Sequence, residues 1–260
     1  MKTGGSLLQG KQAGDMRIIQ FFLIYLFGLV VLFGIKLLYG LSDYVVPMPG
    51  DLSAFVRTEG WRFLKAAGNT ALVAIAGHVL AFFLAAGVAF AARKGRGLGQ
   101  VVKTAAYNLQ AYPVVALAPI VFIFLGDGLA SRLLIASIIC YFPLLLSLIG
   151  VFSTPVQDVE LFYRQTGMLT AGMEISVRVF ENMRKIITVV AGSSTLAMVG
   201  TIVAEFLAAS DGIGYLIRKA LYQNNLSAIL TAMFCIGLYS SLYFWVIEEA
   251  GDRIYKSLAD

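Results

Sequence analysis

Residues Thr154–Lys185 read TPVQDVELFYRQTGMLTAGMEISVRVFENMRK, the longest polar interval between two apolar segments of the chain. Thr154 is suited to cap a helix, and Gln157 stands where the partner of a capping box would. Gly167 offers a left-handed stop, after which a second short helix is expected over Met173–Phe180. The pattern predicts a helix–glycine–helix hairpin, which either docks onto a partner or is a structured loop without one.

Composition places this hairpin between membrane spans. The chain has 260 residues, of which 59% are hydrophobic and 13% are charged, whereas a soluble domain is about a quarter charged. Six stretches reach the roughly 20 apolar residues that cross a bilayer. We therefore expect an all-α polytopic membrane protein whose hairpin joins spans four and five. The expected organisation is a polar, loose leader at 1–17 and one transmembrane domain at 18–260, with spans at 18–41, 70–92, 105–125, 133–152, 186–209 and 229–247.

The distribution of Lys and Arg predicts the topology. With the N-terminus inside, thirteen cationic residues fall on inner segments and six on outer ones, as the positive-inside rule requires. Both termini and the hairpin are then cytoplasmic, and the net charge of +5 needs no nucleic acid partner. Lys36, near the end of span one, is expected to snorkel outward. The six outer residues are Arg57, Arg62, Lys65, Arg132, Arg218 and Lys219.

The sequence lacks the motifs of nucleotide hydrolysis, metal binding and catalysis. The glycine-rich loop ARKGRGLGQ at 92–100 lacks the spacing and the Lys-Ser/Thr ending of a P-loop, so the chain is not expected to hydrolyse nucleotide by itself. The single histidine, His78, cannot build a metal cluster and is expected to be a hydrogen-bonded packing residue. Cys140 and Cys235 lie in apolar spans and are expected to be buried thiols. We predict no catalytic residue, no metal site and no cofactor in this chain.

Two spans carry unusual residues. Tyr112-Pro113 and Pro119 predict a kinked span three, whose freed carbonyls neighbouring helices must satisfy. Span five is rich in small residues, which let helices approach closely, and it carries Glu205 in an apolar run. An intramembrane carboxylate is a candidate functional group. The alternative is a structural Glu205 that is hydrogen-bonded to a neighbouring helix near the outer boundary.

Two outer segments have amphipathic patterns. Leu52–Ala67 is either a helix that lies in the membrane interface, with Trp61 and cationic neighbours, or the start of span two. Tyr215–Tyr222 follows a turn containing Gly212 and Gly214 and is predicted to be a short interfacial helix.

The chain contains two further patterned stretches, YPVVALAPIVFIFLGDGLASRLLIA (Tyr112–Ala136) and IVAEFLAASDGIGYLI (Ile202–Ile217). Together with the hairpin between them, they resemble the inner-membrane permease subunits of binding-protein-dependent ABC importers, and most closely the nitrate, sulfonate, taurine and thiamine-precursor branch. The first stretch is similar to that branch's Pro-x-x-Ala-x-x-Pro…Phe-Gly-x-Gly-x-x-Ser-Lys pattern. The second closely matches Val-Ala-Glu…Gly-Ile-Gly-Tyr-Leu. The resemblance runs from about residue 50 to the C-terminus.

The hairpin occupies the place of the family's EAA loop but departs from its motif. With Gly167 as the loop glycine, the Glu-Ala-Ala positions fall on Leu161, Phe162 and Tyr163, and the family's later proline falls on Phe180. The location, length and helical signals of the loop are kept. The departure is compatible with a dedicated ATPase partner instead of a shared one.

The resemblance implies a permease subunit of the bacterial inner membrane. Its implied partners are a second copy of this chain, two ATPase subunits that bind ATP and Mg²⁺, a periplasmic solute-binding protein and membrane lipid. The implied solute is a small organic anion or a heterocyclic nutrient. The main alternative is a secondary transporter or channel that is independent of ATP, but the inverted repeat and paired intramembrane charges typical of that class are missing from the sequence. A membrane enzyme or scaffold is a third class.

The resemblance also implies three sets of functional residues. In the coupling set, apolar side chains pack into the ATPase, and Arg164, Glu174 and Arg178 are expected to set the register as charges on the rim. The whole coupling set is Leu161, Phe162, Tyr163, Arg164, Gly167, Met168, Leu169, Met173, Glu174 and Arg178. The translocation path between the two copies is assigned to Tyr107, Asn108, Tyr112, Ser193, Ser194, Met198 and Glu205, and the outer loop to Asp211, Gly212, Gly214 and Tyr215.

Overall fold

Ten α-helices account for nearly all of the residues that the structure describes. The computed structural model describes the backbone of residues 4–93, 96–168 and 170–259, and their side chains except at 4–18, 96, 114 and 259. The helices are α1 (Gly4–Tyr39), α2 (Pro49–Ala92), α3 (Arg96–Gln110), α4 (Val114–Leu125), α5 (Leu129–Ser153), α6 (Gln157–Gln165), α7 (Ala171–Glu181), α8 (Met183–Leu207), α9 (Ile213–Tyr222) and α10 (Leu226–Ala259).

Five of these helices, α1, α2, α5, α8 and α10, are long and apolar enough to cross a membrane, and α3 with α4 would make a sixth span. The predicted all-α polytopic membrane fold is therefore confirmed within the described residues. The predicted kink in span three is a complete break, since α3 and α4 meet at 92°. Pro113 explains the break, because its ring drives Tyr112 out of helical geometry and it lacks the N–H that would continue the ladder.

α2 corrects the prediction of a separate interfacial helix at Leu52–Ala67. Pro49–Ala92 is one continuous helix of 44 residues, so the alternative, in which this segment starts span two, is the right one. At 1.5 Å per residue the helix is roughly 66 Å long, about twice the thickness of a hydrocarbon core. Phe63 and Ala67 hold the extension in place by packing against Ile213 and Leu216 of α9. α2 therefore joins the two faces of the molecule without a hinge.

The core is built where α2, α5 and α8 approach closely through small residues. Ala136 of α5 lies between Gly77 of α2 and Gly200 of α8. A Cβ added to Gly77 would lie 2.8 Å from the Ala136 Cβ, and one added to Gly200 would lie 3.0 Å from the Ala136 Cα. Close helix packing of this kind stabilises bundles in lipid, where helices gain little from burying apolar surface against one another.

α1 begins at Gly4, so the leader is helical from Gly4 onward and not loose as predicted, and the membrane-spanning part of the helix begins at Ile19. The helix packs mainly against α10. Phe21 lies 5.7 Å from the Phe234 ring, and the Tyr25 hydroxyl donates to the Leu230 carbonyl at 3.0 Å. Gly237 leaves space for this contact, since a Cβ there would lie 2.1 Å from the Phe21 ring. Among the described side chains of α1, this aromatic patch makes the contact with α10.

Replacing Gly237 with leucine is expected to displace α1 from α10 and to uncover Cys235, which is buried beside Tyr25. Labelling of Cys235 by a membrane-permeant maleimide should rise roughly tenfold, because the covering helix is lost. Cys140, buried in the separate α2–α5–α8 core, is an internal reference. Gly28→Leu is the matched control, since nothing lies within 4 Å of a Cβ at Gly28. Equal labelling in the two variants would contradict the assigned contact.

Candidate functional site

The hairpin α6–α7 has the predicted helix–glycine–helix form. Gly167 ends the first helix with φ +70°, a conformation that favours glycine. The second helix starts at Ala171, where the Thr170 hydroxyl accepts the backbone N–H of Met173 at 3.3 Å. The two arms and the turn between them therefore follow directly from local sequence chemistry.

The predicted cap of the first arm is wrong. Thr154 belongs to the end of α5, where its hydroxyl donates to the Gly150 carbonyl at 2.8 Å. α6 begins later, at Gln157, and it is Glu160 whose carboxylate accepts the Val156 N–H at 3.1 Å. Glu160, and not Thr154 or Gln157, thus accepts the free N–H at the start of α6.

A buried ion-pair network holds the two arms together. The Arg178 guanidinium donates to both carboxylate oxygens of Glu160, at 2.6 and 2.8 Å, and also to the Phe152 carbonyl at the end of α5. It pairs with Glu174 at 2.9 Å, and the other oxygen of Glu174 pairs at 2.9 Å with Arg93, the C-cap residue of α2. The hairpin is therefore fixed to the ends of α2 and α5 by charges.

Of the charges predicted to stand on the rim of a docking surface, Arg178 is buried in this structure, whereas the Glu174 side chain is 23% exposed and pairs within the same chain. Arg178 is 7% exposed and Glu160 is 3% exposed, and both are committed to partners in the same chain. The hydrogen bonds from Arg178 hold the pKa of Glu160 below its ordinary value, so the pair stays ionised at neutral pH. The sequence identifies which side chains are charged, but it does not specify which residues they contact in the folded chain.

The opposite side of the hairpin exposes apolar side chains, which we call the hairpin patch: Leu161, Phe162 and Met168. They are 55%, 60% and 63% exposed, respectively. Arg164 is exposed beside them, and Tyr163 is half-buried. Of the other members of the predicted coupling set, Met173 is half-buried, and Leu169 lies outside the described residues.

Glu205 lies at the centre of a closed cluster on the side of the molecule opposite the hairpin. Its carboxylate is fully buried, and it accepts hydrogen bonds from the Thr70 hydroxyl at 2.8 and 2.9 Å and from the Gly214 N–H at 3.0 Å. Arg132 lies 3.7 Å from it and pairs with the exposed Asp211 at 2.7 Å. The Thr70 hydroxyl also accepts the N–H of Ile213, so the start of α9 is bonded to both α2 and α8.

The two glycines after this carboxylate are required by its position. A Cβ on Gly212, whose φ is +94°, would lie 2.2 Å from the Glu205 carboxyl carbon. A Cβ on Gly214 would lie 2.4 Å from the Ile202 carbonyl oxygen. Only residues without a side chain let α9 approach α8 this closely. Arg218 then bonds back to the Phe206 and Ala209 carbonyls, at 3.0 and 2.6 Å.

The structure separates the residues predicted to line a solute path. Ser193, Ser194 and Met198 are buried between helices of the same chain. Tyr107 and Tyr112, each 61% exposed, lie on α3 and at its break, and Asn108 beside them is exposed as well. The α3 group is therefore exposed on this chain, whereas the α8 group is buried within it.

The accessible face of α8 is a different stripe, which the sequence analysis missed. Thr188, Gly192, Thr195 and Val199 are exposed at spacings of four, three and four residues. This 3.6-residue period was the available signal, since the stripe alternates with the buried serines along one helix. Small and weakly polar side chains therefore occupy the face of α8 that no helix of the described chain covers.

His78 is a satisfied packing residue, as predicted. Its ring nitrogens are hydrogen-bonded to the Tyr243 hydroxyl at 2.7 Å and to the Ser193 hydroxyl at 2.8 Å. Lys36, by contrast, does not snorkel into water. Its ammonium is buried under the following loop, where it pairs with Asp43 at 2.6 Å and donates to the Val46 carbonyl at 2.5 Å.

This chain is similar to three transport proteins. The formylaminopyrimidine transport permease protein ThiX of Halalkalibacterium halodurans is 29% identical over 57% of this chain and 61% of its own length. The riboflavin transport system permease protein RibX of Chloroflexus aurantiacus is 29% identical over 61% of this chain and 59% of its own length. A probable ABC transporter permease protein of Haemophilus influenzae is 25% identical over 54% and 59%. The chain spans about three fifths of the length of these relatives.

The sequence profile of one family covers most of the chain. It is the family of the binding-protein-dependent transport system inner membrane component, and it matches residues 61–255. The matched region runs from the long helix α2 through the hairpin and the Glu205 cluster to α10, and it leaves out α1. The chain therefore belongs to the family of inner membrane components of binding-protein-dependent transport systems.

Proposed function

We propose that this chain is the transmembrane permease subunit of an ABC importer and that the hairpin patch docks onto a separate ATPase. The observation that carries this proposal is the hairpin's two-sided construction. Its inner side is fixed by buried ion pairs, and its outer side exposes Leu161, Phe162 and Met168. Exposed apolar clusters on a rigid polar segment are typical of protein–protein interfaces.

A docking role explains why the hairpin is so firmly attached. A loop that only connects two spans needs no charge network to α2 and α5, whereas a lever must transmit force without bending. ATP-driven closure of an ATPase pair would move two hairpins together and change the access of the solute path. ATP and Mg²⁺ belong to the ATPase in this proposal, and this chain contributes no cofactor site.

The solute path is proposed to lie between two copies of the chain. On each copy the exposed α8 stripe is available for it, together with the exposed Tyr107, Asn108 and Tyr112 on the broken span. Ser193, Ser194 and Met198 would join the path only if the helices around α8 moved apart. The closed hydrogen bonding of Glu205 favours a structural role for that carboxylate.

The proposed location is the bacterial cytoplasmic membrane, with both termini and the hairpin inside. The excess of cationic residues on the hairpin side supports this orientation. A periplasmic binding protein would then meet the opposite face, where Asp211 and Tyr215 border a cleft of about 260 Å³. The names of the similar permeases specify formylaminopyrimidine and riboflavin, so a nitrogen heterocycle is the proposed class of solute.

Replacing Met168 with aspartate is expected to abolish ATP-dependent uptake while the chain still inserts and folds. A charge in the middle of the hairpin patch would have to be buried on docking, which should weaken ATPase binding by roughly tenfold or more. Co-purification of the ATPase and uptake in proteoliposomes measure the effect. Met48→Asp is the matched control, because Met48 is 49% exposed on the opposite face. Normal uptake by the Met168 variant would count against docking at this patch.

Gly167→Pro provides a second test at the same turn. Proline cannot adopt the φ of +70° found at Gly167, so the patch would be misplaced without adding charge. The same proteoliposomes separate the proposal from a secondary transporter. Uptake that follows an ion gradient and needs no ATP would overturn the ABC assignment.

A further inference from the structure

The inner end of α2 is joined to the hairpin by one ion pair. Arg93 directly follows Ala92 as the C-cap residue of α2, and its guanidinium lies 2.9 Å from the Glu174 carboxylate of α7. The Arg93 side chain is 6% exposed and also lies over the Phe90 ring at 4.6 Å. Because water is largely excluded from the Arg93 side chain, loss of Glu174 would leave the guanidinium buried without its counter-ion.

The outer end of α2 is joined to the opposite face by contacts of a different kind. Thr70, about midway along the helix, donates to Glu205 and accepts from the backbone of α9. Phe63, which is nearer the outer end of α2, also packs against α9. Between Arg93 and this junction α2 has no proline and no break. The helix therefore connects the hairpin mechanically to α9.

We propose that the Arg93–Glu174 ion pair, hereafter the clasp, makes α2 the rod that carries hairpin movement to the outer face. Arg93 and Glu174 are positioning residues in this scheme, and the clasp stays closed throughout the transport cycle. The inference rests on the proposed function, because the movement originates in the ATPase. It goes further by naming the helix that transmits the movement and the contact through which it does so.

α2 is better suited to this role than α5, the helix that leads into the hairpin. The Arg178 guanidinium reaches α5 only through a backbone carbonyl, that of Phe152, and α5 contains Pro143 within its length. Proline removes a backbone hydrogen bond and permits bending. A charged contact to an unbroken helix transmits displacement more directly than a neutral contact to an interrupted one.

The test measures movement at the outer end of α2 in the assembled complex. Ala54, which is exposed there, is changed to cysteine for spin labelling in both copies, and the buried Cys140 and Cys235 are replaced by alanine. The distance between the two labels is compared without nucleotide and after trapping with ATP and vanadate. Arg93→Gln opens the clasp and leaves Glu174 paired with Arg178.

Arg93→Gln is expected to reduce the nucleotide-dependent change in distance by at least half while ATP hydrolysis continues, and Arg93→Lys should restore part of it. Arg253→Gln is the matched control, since it breaks an exposed pair with Glu249 of the same 2.8–2.9 Å length. A full distance change in Arg93→Gln would overturn the clasp. Failure of the unmutated chain to bind an ATPase would instead overturn the proposed function.

A covalent crosslink in place of the ion pair tests the clasp independently, even if the Arg93→Gln variant does not fold. Cysteines at 93 and 174 are joined by a short bifunctional crosslinker in the assembled complex. The crosslinked complex is expected to show the unmutated change in distance, because the clasp never needs to open. A crosslink that suppresses the change would show that the pair must separate during the cycle, and would overturn the proposal.

Discussion

Glu205→Ala should prevent the chain from accumulating as a folded membrane protein. The substitution leaves the Thr70 hydroxyl, the Gly214 N–H and the Arg132 guanidinium facing a buried void where a carboxylate had been. Breaking a buried charged interaction by removing one partner is destabilising by about 3–5 kcal/mol. Since whole proteins are stable by only about 5–15 kcal/mol, a substantial part of the margin would be lost. Monodisperse yield in detergent and the thermal midpoint measure the effect.

The same experiment separates the two roles considered for Glu205. If the carboxylate lines a solute path, Glu205→Ala should fold normally and change only uptake. If it is structural, folding should fail, and Glu205→Gln should be milder because the amide oxygen still accepts a hydrogen bond. Glu59→Ala is the matched control, because Glu59 is half-exposed and its pair with Arg62 is 3.4 Å long. Normal folding of Glu205→Ala would refute the structural assignment.

The sequence was sufficient for the helical spans and for the form of the hairpin. Both depend on local chemistry, namely stretches of apolar residues and a glycine at Gly167 that permits φ +70°. The continuity of α2 was not predictable in the same way. Leu52–Ala67 has an amphipathic pattern that fits either an interfacial helix or an extension, and its packing against α9 decides between them. A period of 3.6 residues specifies a helix without specifying what covers it.

The site was predicted less well, because its contacts join residues far apart in the chain. Arg178 and Glu174 were assigned to a partner because a charged residue on an amphipathic helix normally faces water. In the structure Arg178 meets Glu160, 18 residues earlier, and Glu174 meets Arg93, 81 residues earlier. Pairings at such separations are set by tertiary packing, and neither residue spacing nor helix propensity encodes them.

The Glu205 cluster shows what a motif can convey before its structure is known. The resemblance marked Glu205, Gly212 and Gly214 as belonging together, but it did not say why. The reason is steric and electrostatic, since the carboxylate occupies the space where a Cβ on Gly212 would lie and accepts the N–H of Gly214. A substitution that adds a Cβ at Gly212 should therefore disturb the same cluster as loss of the carboxylate.

Replacing Arg178 with alanine should unfold the hairpin locally while the spans remain intact. Glu160 would be left buried without its counter-ion, and both Glu174 and the Phe152 carbonyl would lose a donor. Removal of one partner from a buried pair is destabilising by about 3–5 kcal/mol. Because each 1.4 kcal/mol is about a factor of ten in an equilibrium, the open hairpin should become roughly 100-fold or more easier to populate. Limited proteolysis of the complex-free protein would measure this as faster cleavage between α5 and α8.

The pH dependence of this cleavage gives the pair a second signature. Because Arg178 holds the pKa of Glu160 below its ordinary value, the ionised carboxylate stabilises the folded hairpin. That stabilisation is fully present above the ordinary pKa of a glutamate and is lost as the pH falls through the lowered pKa. The unmutated hairpin should thus resist protease at neutral pH and open in acid, whereas Glu160→Gln should weaken this dependence. Arg253→Ala, which removes an exposed ion pair, should change neither cleavage rate nor pH dependence. Equal resistance of the Arg178 and Arg253 variants would mean that packing, and not the ion-pair network, holds the hairpin.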